Sequence, residues 1–309
     1  MLKTARLAAL CLPLFLASPQ ARAARQDVQY GPNPAQMMTL CAPNADAAAP
    51  GAARPATLLI HGGGWLIGNR QVLAYVCALA AANGIVAATI DYRLNVAPPR
   101  TAWPAQFNDA QLALRWLRAH AANWAIDPNH ICAEGDSAGG QLALMLGAVP
   151  TIDPGDMQTI LPAISPQANC VVAISGPADL VELAKVRPGL VHGVLAATTP
   201  ADFSLQATTA SPALRIHRGV PTLLIHGLSD PVVPFPQALE MQSATTAAGA
   251  PSWLVTHPGG HETDGLTQDQ KSRLWPFIAT FIRTERLPLP PGQLPIEQAM
   301  ATLKTKPQR

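Results

Sequence analysis

The chain has 309 residues, of which 49% are hydrophobic and 13% charged, with 31 Pro and 22 Gly. That is ample for a large buried core and excludes disordered, collagen-like and small disulfide-scaffold classes. The formal net charge is only +2, without any block of lysine or arginine, so nothing in it points to a nucleic-acid partner.

The first 23 residues read as a cleavable signal peptide. Lys3 and Arg6 supply a positive start, Leu7 to Ala17 an apolar run, and Ala21-Arg22-Ala23 a small-residue cleavage site. The run is far shorter than the roughly 20 residues that span a bilayer, so no membrane span is expected. Cleavage would remove three positive charges and no acids, leaving a near-neutral secreted or periplasmic protein.

From there, short apolar runs alternate with helical patterns. Val28–Tyr30 and Met37–Leu40 are candidate antiparallel edge strands, and Ala56–His61 a buried strand. Gln71–Ala82 reads as a helix closed by Gly84, and Ile85–Tyr92 as a strand. Pro104 opens a helix whose Phe107, Ala110, Leu114 and Leu117 share one face. The strand His130–Glu134, helix Ala138–Gly147 and strand Cys170–Ser175 follow. The strand Thr222–His226, helix Pro236–Ala248, strand Ser252–Thr256 and helix Gln268–Arg283 complete the series. Strands that are apolar throughout and separated by helices indicate a mostly parallel sheet of about eight strands, covered on both faces. The expected organisation is one α/β domain over residues 24–286, with a candidate partial lid over 176–220. Residues 287–309 read as a loosely packed, Pro-rich tail.

Four cysteines remain after the leader: Cys41, Cys77, Cys132 and Cys170. An oxidising compartment allows two disulfides in any of three pairings, and buried free thiols are the alternative. No C-x-x-C pair supports a zinc ribbon or a redox site.

Gly135-Asp136-Ser137-Ala138-Gly139 is a G-x-S-x-G that follows a strand and opens a helix, the context a nucleophile elbow needs. In isolation such a match reads more readily as a helix N-cap serine in a glycine-rich turn, but three further features argue for chemistry. His61-Gly62-Gly63-Gly64-Trp65 follows the strand Ala56–Ile60, and its glycines expose N–H groups suited to a developing oxyanion. It lacks the Lys-Ser/Thr pair or the G-x-G-x-x-G frame of phosphate loops. His61 itself is expected to fix this loop by hydrogen bonding. Asp230 lies in the loop after Thr222–His226, where an acid can hold an imidazole in one tautomer, and it equally suits an Asx turn before Pro231. His261, with its Gly259-Gly260 lead-in, follows the last parallel strand; His257 is its nearest rival. The order Ser137…Asp230…His261 is that of α/β-hydrolases, and each residue lies at the C-terminal end of a strand.

With HGGGW at 61–65, DYRL at 91–94, GDSAGG at 135–140, HGLSDPVVP at 226–234 and GGH at 259–261, the chain resembles the α/β-hydrolase superfamily. Within it, the resemblance is to the hormone-sensitive-lipase-like and secreted carbohydrate-esterase group. The resemblance implies Ser137 as nucleophile, His261 as general base and then acid, and Asp230 as orienting carboxylate. It also implies an oxyanion hole from the N–H groups of Gly63, Gly64 and Ala138, structural roles for Tyr92 and Arg93, and no metal or organic cofactor. Relatives of hormone-sensitive lipase carry a long cap before the HGGG loop, whereas only residues 24–60 would precede His61 here. That shifts the resemblance toward compact esterases that remove acetyl or feruloyl groups from polysaccharide. The expected substrate is thus a small ester or an acylated polysaccharide, with Trp65 a candidate stacking surface or, equally, a packed core residue. An arylformamidase-like amidase and a non-catalytic binding protein on the same scaffold are the alternatives. Oligomeric state is not legible in the chain.

Overall fold

The computed structural model describes residues 24–43, 53–96, 102–150, 160–195 and 197–302; the expected leader 1–23 lies outside them. The apolar runs pair into one nine-stranded sheet, comprising β1 (Ala24–Gln29), β2 (Met37–Ala42), β3 (Arg54–Ile60), β4 (Val86–Ile90), β5 (Ile126–Asp136), β6 (Cys170–Ile174), β7 (Thr222–Gly227), β8 (Ser252–His257) and β9 (Gly292–Pro295). The spatial order is β1-β2-β4-β3-β5-β6-β7-β8-β9. β2 pairs antiparallel with both β1 and β4 at one edge, and every other pairing is parallel.

Burial on both faces explains why these strands are apolar throughout. From β3, Leu58 and Ile60 enter one core with Phe107 of α2 (Ala105–Ala119) and Leu142 of α3 (Ala138–Ala148). Leu59 enters the opposite core with Cys77 of α1 (Ala74–Ala82) and Ile278 of α9 (Gln268–Thr284). β5 does the same, sending Ile131 and Ala133 one way and Cys132 the other. The alternation is the ordinary period-two geometry of a strand. Phe107, Ala110, Leu114 and Leu117 of α2 are all fully buried. α1 starts later than its apolar pattern suggests, because the Asn69 side chain caps a preceding 3₁₀ turn, Arg70–Leu73.

The segment 176–220 folds into four short helices, α4 (Leu180–Val186), α5 (Pro188–Val194), α6 (Pro200–Thr209) and α7 (Pro212–Arg215). α8 (Pro236–Ala247) leads on to β8. Gln237 of α8 anchors the start of this segment, its Oε1 accepting from the N–H groups of Ala178 and Asp179, both at 2.8 Å.

Two disulfides link Cys41 of β2 to Cys77 of α1 and Cys132 of β5 to Cys170 of β6, with Cα separations of 5.7 and 4.5 Å. The second joins residues directly opposed in the parallel register.

The Pro-rich stretch from Leu287 differs from the loose tail its composition suggests. Residues 292–295 add β9 in parallel to β8, and α10 (Ile296–Ala301) follows. The reason is apolar burial: Leu294, Ile296, Ala299 and Met300 sink into the core beside α9, and the Trp253 indole N–H donates to the Leu289 carbonyl at 2.9 Å. Ile296→Ala, at a fully buried position, is therefore expected to cost about 2–5 kcal/mol of unfolding free energy in a urea titration. A change below about 0.5 kcal/mol, the range of ordinary surface substitutions, would contradict this packing.

Candidate active site

The elbow is built by close backbone packing. β5 ends at Asp136, α3 begins at Ala138, and Ser137 between them has φ 51° and ψ −118°. So sharp a turn requires glycine on both sides. A Cβ on Gly135 would lie 2.3 Å from the Gly139 carbonyl oxygen, and one on Gly139 would lie 2.0 Å from that of Ile60. The Ser137 N–H donates to the Ile174 carbonyl at 2.8 Å, fixing the turn to β6.

The loops after β7 and β8 are laced together. Leu228 N–H donates to the His257 carbonyl at 2.8 Å and Ser229 N–H to that of Gly259 at 3.0 Å. This brings Asp230 and His261 to Ser137. His261 Nε2 is 2.9 Å from Ser137 Oγ, and His261 Nδ1 is 2.7 Å from Asp230 Oδ2. The other Asp230 oxygen, Oδ1, accepts from the N–H groups of Val232 and Val233, so the Asx turn and the contact to histidine coexist. Asp179, the acid in the loop after β6, instead caps α4, accepting from Val181 and Glu182 N–H.

Electrostatics fit this geometry. Burial pulls His261 toward its neutral form, but the hydrogen bond and charge of Asp230, with Glu262 and Asp136 nearby, outweigh it and raise its pKa above the ordinary value. Asp230 is buried too, which favours its protonated form. Its bonds to His261, Val233 and Val232 win, and its pKa falls below the usual carboxylate value. His257 is a strut: buried, it donates from Nε2 to the Glu262 carbonyl at 2.9 Å and so shapes the His261 loop.

The glycine loop lies against the elbow. A Cβ on Gly62 would come within 3.2 Å of the Ser137 Cβ, and Gly62 N–H donates to Asp136 Oδ2 at 3.1 Å. Gly63 and Gly64 take φ of 108° and 60°. Ala138 is the first residue of α3, where N–H groups have no acceptor within the helix. His61 braces this loop, donating from Nδ1 to its neighbour's carbonyl at 2.7 Å while stacking on Tyr92, and the Tyr92 hydroxyl donates to the His61 carbonyl. Arg93 forms an ion pair with buried Asp109 at 2.8 Å, a structural role.

Trp65 offers no stacking surface. It is 1% exposed, and its indole N–H donates to Gln141 Oε1 at 3.1 Å while Gln141 Nε2 donates to the Ala210 carbonyl at 2.7 Å. Its role is to tie the glycine loop to α3 and to the end of α6. The segment 176–220 touches the site from above: Leu190 of α5 lies 3.3 Å from where a Gly64 Cβ would be, and Arg187 donates to the Pro231 carbonyl.

Three groups that sequence reasoning left without roles also converge here. Glu262 Oε1 stands 3.8 Å from His261 Nε2, and Glu262 N–H donates to Ser175 Oγ at 2.9 Å. Burial and the adjoining Glu262 carboxylate push the Asp136 carboxyl well above the usual carboxylate range. Asp136 lay within a recognised motif and Glu262 beside a recognised histidine; adjacency was the only signal for either. Among the described residues, no three His, Cys, Asp or Glu side chains converge to hold a metal ion.

A serine at a strained strand–helix turn, lined up with histidine and aspartate from the last loops of a mostly parallel sheet, defines an α/β-hydrolase. The chain belongs to the BD-FAE family, whose model matches residues 46–245. Among curated proteins it is 28% identical over 269 residues to "Esterase LipQ" and 32% identical over 224 residues to "Esterase LipC", both of Mycobacterium tuberculosis. These matches cover 83% and 69% of this chain but only 61% and 53% of the two relatives. The fold matches a truncated carbohydrate esterase from gut microbiota with a TM-score of 0.71 at 22% identity, over 85% of this chain and 96% of that one. It also matches propionate-bound esterase 2 of Thermogutta terrifontis with a TM-score of 0.69 at 26% identity, over 84% of this chain and 93% of that one.

If Asp230 holds the imidazole as described, Asp230→Asn lowers the His261 titration midpoint, because burial then acts with less opposition. NMR of the histidine ring protons reads this directly, and an unchanged midpoint would contradict the pairing.

Proposed function

We propose that this chain is a serine carboxylic-ester hydrolase acting on esters with small acyl groups through an acyl-enzyme. The observation that carries the reading is the unbroken hydrogen-bonded line from Ser137 Oγ through His261 to Asp230, at 2.9 and 2.7 Å. In this reading His261 Nε2 takes the proton of Ser137 as Oγ attacks the ester carbonyl. The oxyanion is received by the N–H groups of Gly63, Gly64 and Ala138. His261 then returns its proton to the departing alcohol, and a water activated by the same nitrogen releases the acid. Asp230 keeps Nδ1 protonated throughout and stabilises the imidazolium.

Support for ester chemistry comes from the curated relatives, which are named esterases, and from the Thermogutta esterase, whose structures are titled with bound propionate and butyrate. The small-acyl preference belongs to this reading, with Leu190 of α5 standing beside the oxyanion loop, 3.3 Å from where a Gly64 Cβ would be. Removal of acetyl or feruloyl groups from polysaccharide is the natural activity we favour, and the carbohydrate-esterase neighbour shares the fold it needs. The reading includes export, with residues 1–23 as leader; two disulfides suit an oxidising compartment. No helix among the described residues is long and apolar enough to cross a membrane.

Ser137→Ala is expected to fold as the parent does and to lose nearly all hydrolysis of nitrophenyl acetate, a loss of up to about 10⁶ in kcat. A folded variant at parental rates would end the proposal. Each further enclosed CH₂ contributes about 0.8 kcal/mol in a closed pocket, a gain that a short site forgoes. Acetyl and butyryl esters are thus expected to give higher kcat/KM than decanoyl esters. A preference that climbs steadily to twelve carbons would overturn the small-acyl assignment.

A further inference from the structure

Behind the elbow, on the sheet face covered by α1 and α9, lies a cavity of about 390 Å³. Its walls are largely apolar, including Leu59, Leu79 and Ile278, and Val72 and Tyr75 stand exposed at its rim. That volume lies within the range of small-molecule sites, which combine apolar walls with a few placed polar groups.

Two such groups are present. Glu134 lines the cavity, is 5% exposed, and its Oε2 has no hydrogen-bond partner among the described residues. Side-chain alternation along β5 directs Glu134 onto the same face as Cys132, toward α1 and α9. The indole N–H of Trp275, 7% exposed on α9, also lines the cavity and is likewise unpartnered. Buried polar groups in native proteins are almost always satisfied by protein, water or a bound molecule, and this pair, unlike an isolated one, offers a molecule in the cavity one acceptor and one donor.

Charge selects the class of that molecule. Glu134, Asp136 and Glu262 all face the cavity, while the lysine lining it, Lys271, sits exposed at its rim. A metal ion does not fit, because among the described residues no three His, Cys, Asp or Glu side chains converge on one point and most of the wall is hydrocarbon. We propose that the cavity binds a small organic monocation with an apolar body and an acceptor oxygen. Its ammonium donates to Glu134 and its oxygen accepts from Trp275. This inference goes beyond the proposed hydrolysis and does not depend on it.

The proton balance follows. Burial, and then the nearby Asp136, push the Glu134 carboxyl up to about 8, so it is mostly protonated at neutral pH. An entering ammonium stabilises the carboxylate, and the Glu134 proton leaves to solvent as the complex forms. The other charged or titratable groups that line the cavity are Asp136 on the same strand, Glu262 after β8, Lys271 on α9 and Tyr75 on α1.

The test is isothermal titration of the full chain with phenylalaninol, which carries an ammonium, a hydroxyl and a phenyl ring, against 3-phenyl-1-propanol, which lacks the nitrogen. Expected are saturable one-site binding, heats that vary with buffer ionisation as a proton is released, and affinity rising about tenfold from pH 6 to 7 and more gently toward pH 8. The neutral alcohol should bind at least about tenfold more weakly. Glu134→Gln should abolish the pH dependence, and Val76→Trp, which fills the cavity from α1, should abolish binding even if the first variant does not fold. Ser137→Ala should bind as the parent does, which separates this site from the hydrolytic one. Absence of saturable binding, equal affinity for the alcohol, or binding that survives Val76→Trp in folded protein would overturn the proposal.

Discussion

The molecule depends on a backbone held where few residues sit. Ser137 at φ 51° stores strain of about 1–3 kcal/mol, and such a conformation persists only if its surroundings over-determine it. Those surroundings are the approach of Gly135 to Gly139 and of Gly139 to Ile60, together with the bond from Ser137 N–H to Ile174. Three neighbouring strands, β3, β5 and β6, thus clamp one residue. The sheet buried on both faces supplies the rigidity, and the strained turn lifts the serine side chain clear of it.

The remaining machinery is assembled by loops that hold one another rather than by the sheet directly. The Asp230 and His261 loops share backbone hydrogen bonds through Leu228 and Ser229. The glycine loop is fastened to the elbow by Asp136 and to the helical segment above by Trp65 through Gln141. Asp136 and Glu262 then bring two carboxyls together near the histidine, and burial with that neighbour pushes the Asp136 carboxyl well above the usual carboxylate range. The acid-lined cavity behind them shares that wall.

Much of this was legible in the chain, for identifiable reasons. Buried parallel strands are apolar on both faces, so runs such as Thr222–Ile225 announce themselves, and the strand–turn–helix around Ser137 carries its own glycines. The order of Ser137, Asp230 and His261 followed once each was placed after a strand. The place of Trp65 is not legible in the chain, since a tryptophan beside glycines reads equally as a surface or a core residue, and only the fold brings Gln141 to its N–H. The C-terminal stretch reads as a loose tail because prolines dominate its composition, while Leu294, Ile296 and Met300 are too few to give a periodic signal. The meeting of Asp136 with Glu262, and the cavity behind Glu134, depend on contacts between segments far apart in sequence. Disulfide pairing is of the same kind: only the register of β5 against β6 sets Cys132 opposite Cys170.

In the proposed mechanism Ser137 is the activated nucleophile of an acyl-transfer site. The most direct measurement is mass spectrometry of the protein after incubation with paraoxon, a phosphoryl ester that traps an activated serine. A single diethylphosphoryl adduct on the peptide containing Ser137, absent after His261→Ala, is the result expected. No adduct at all, or an adduct on another serine with Ser137 unmodified, would contradict the claim.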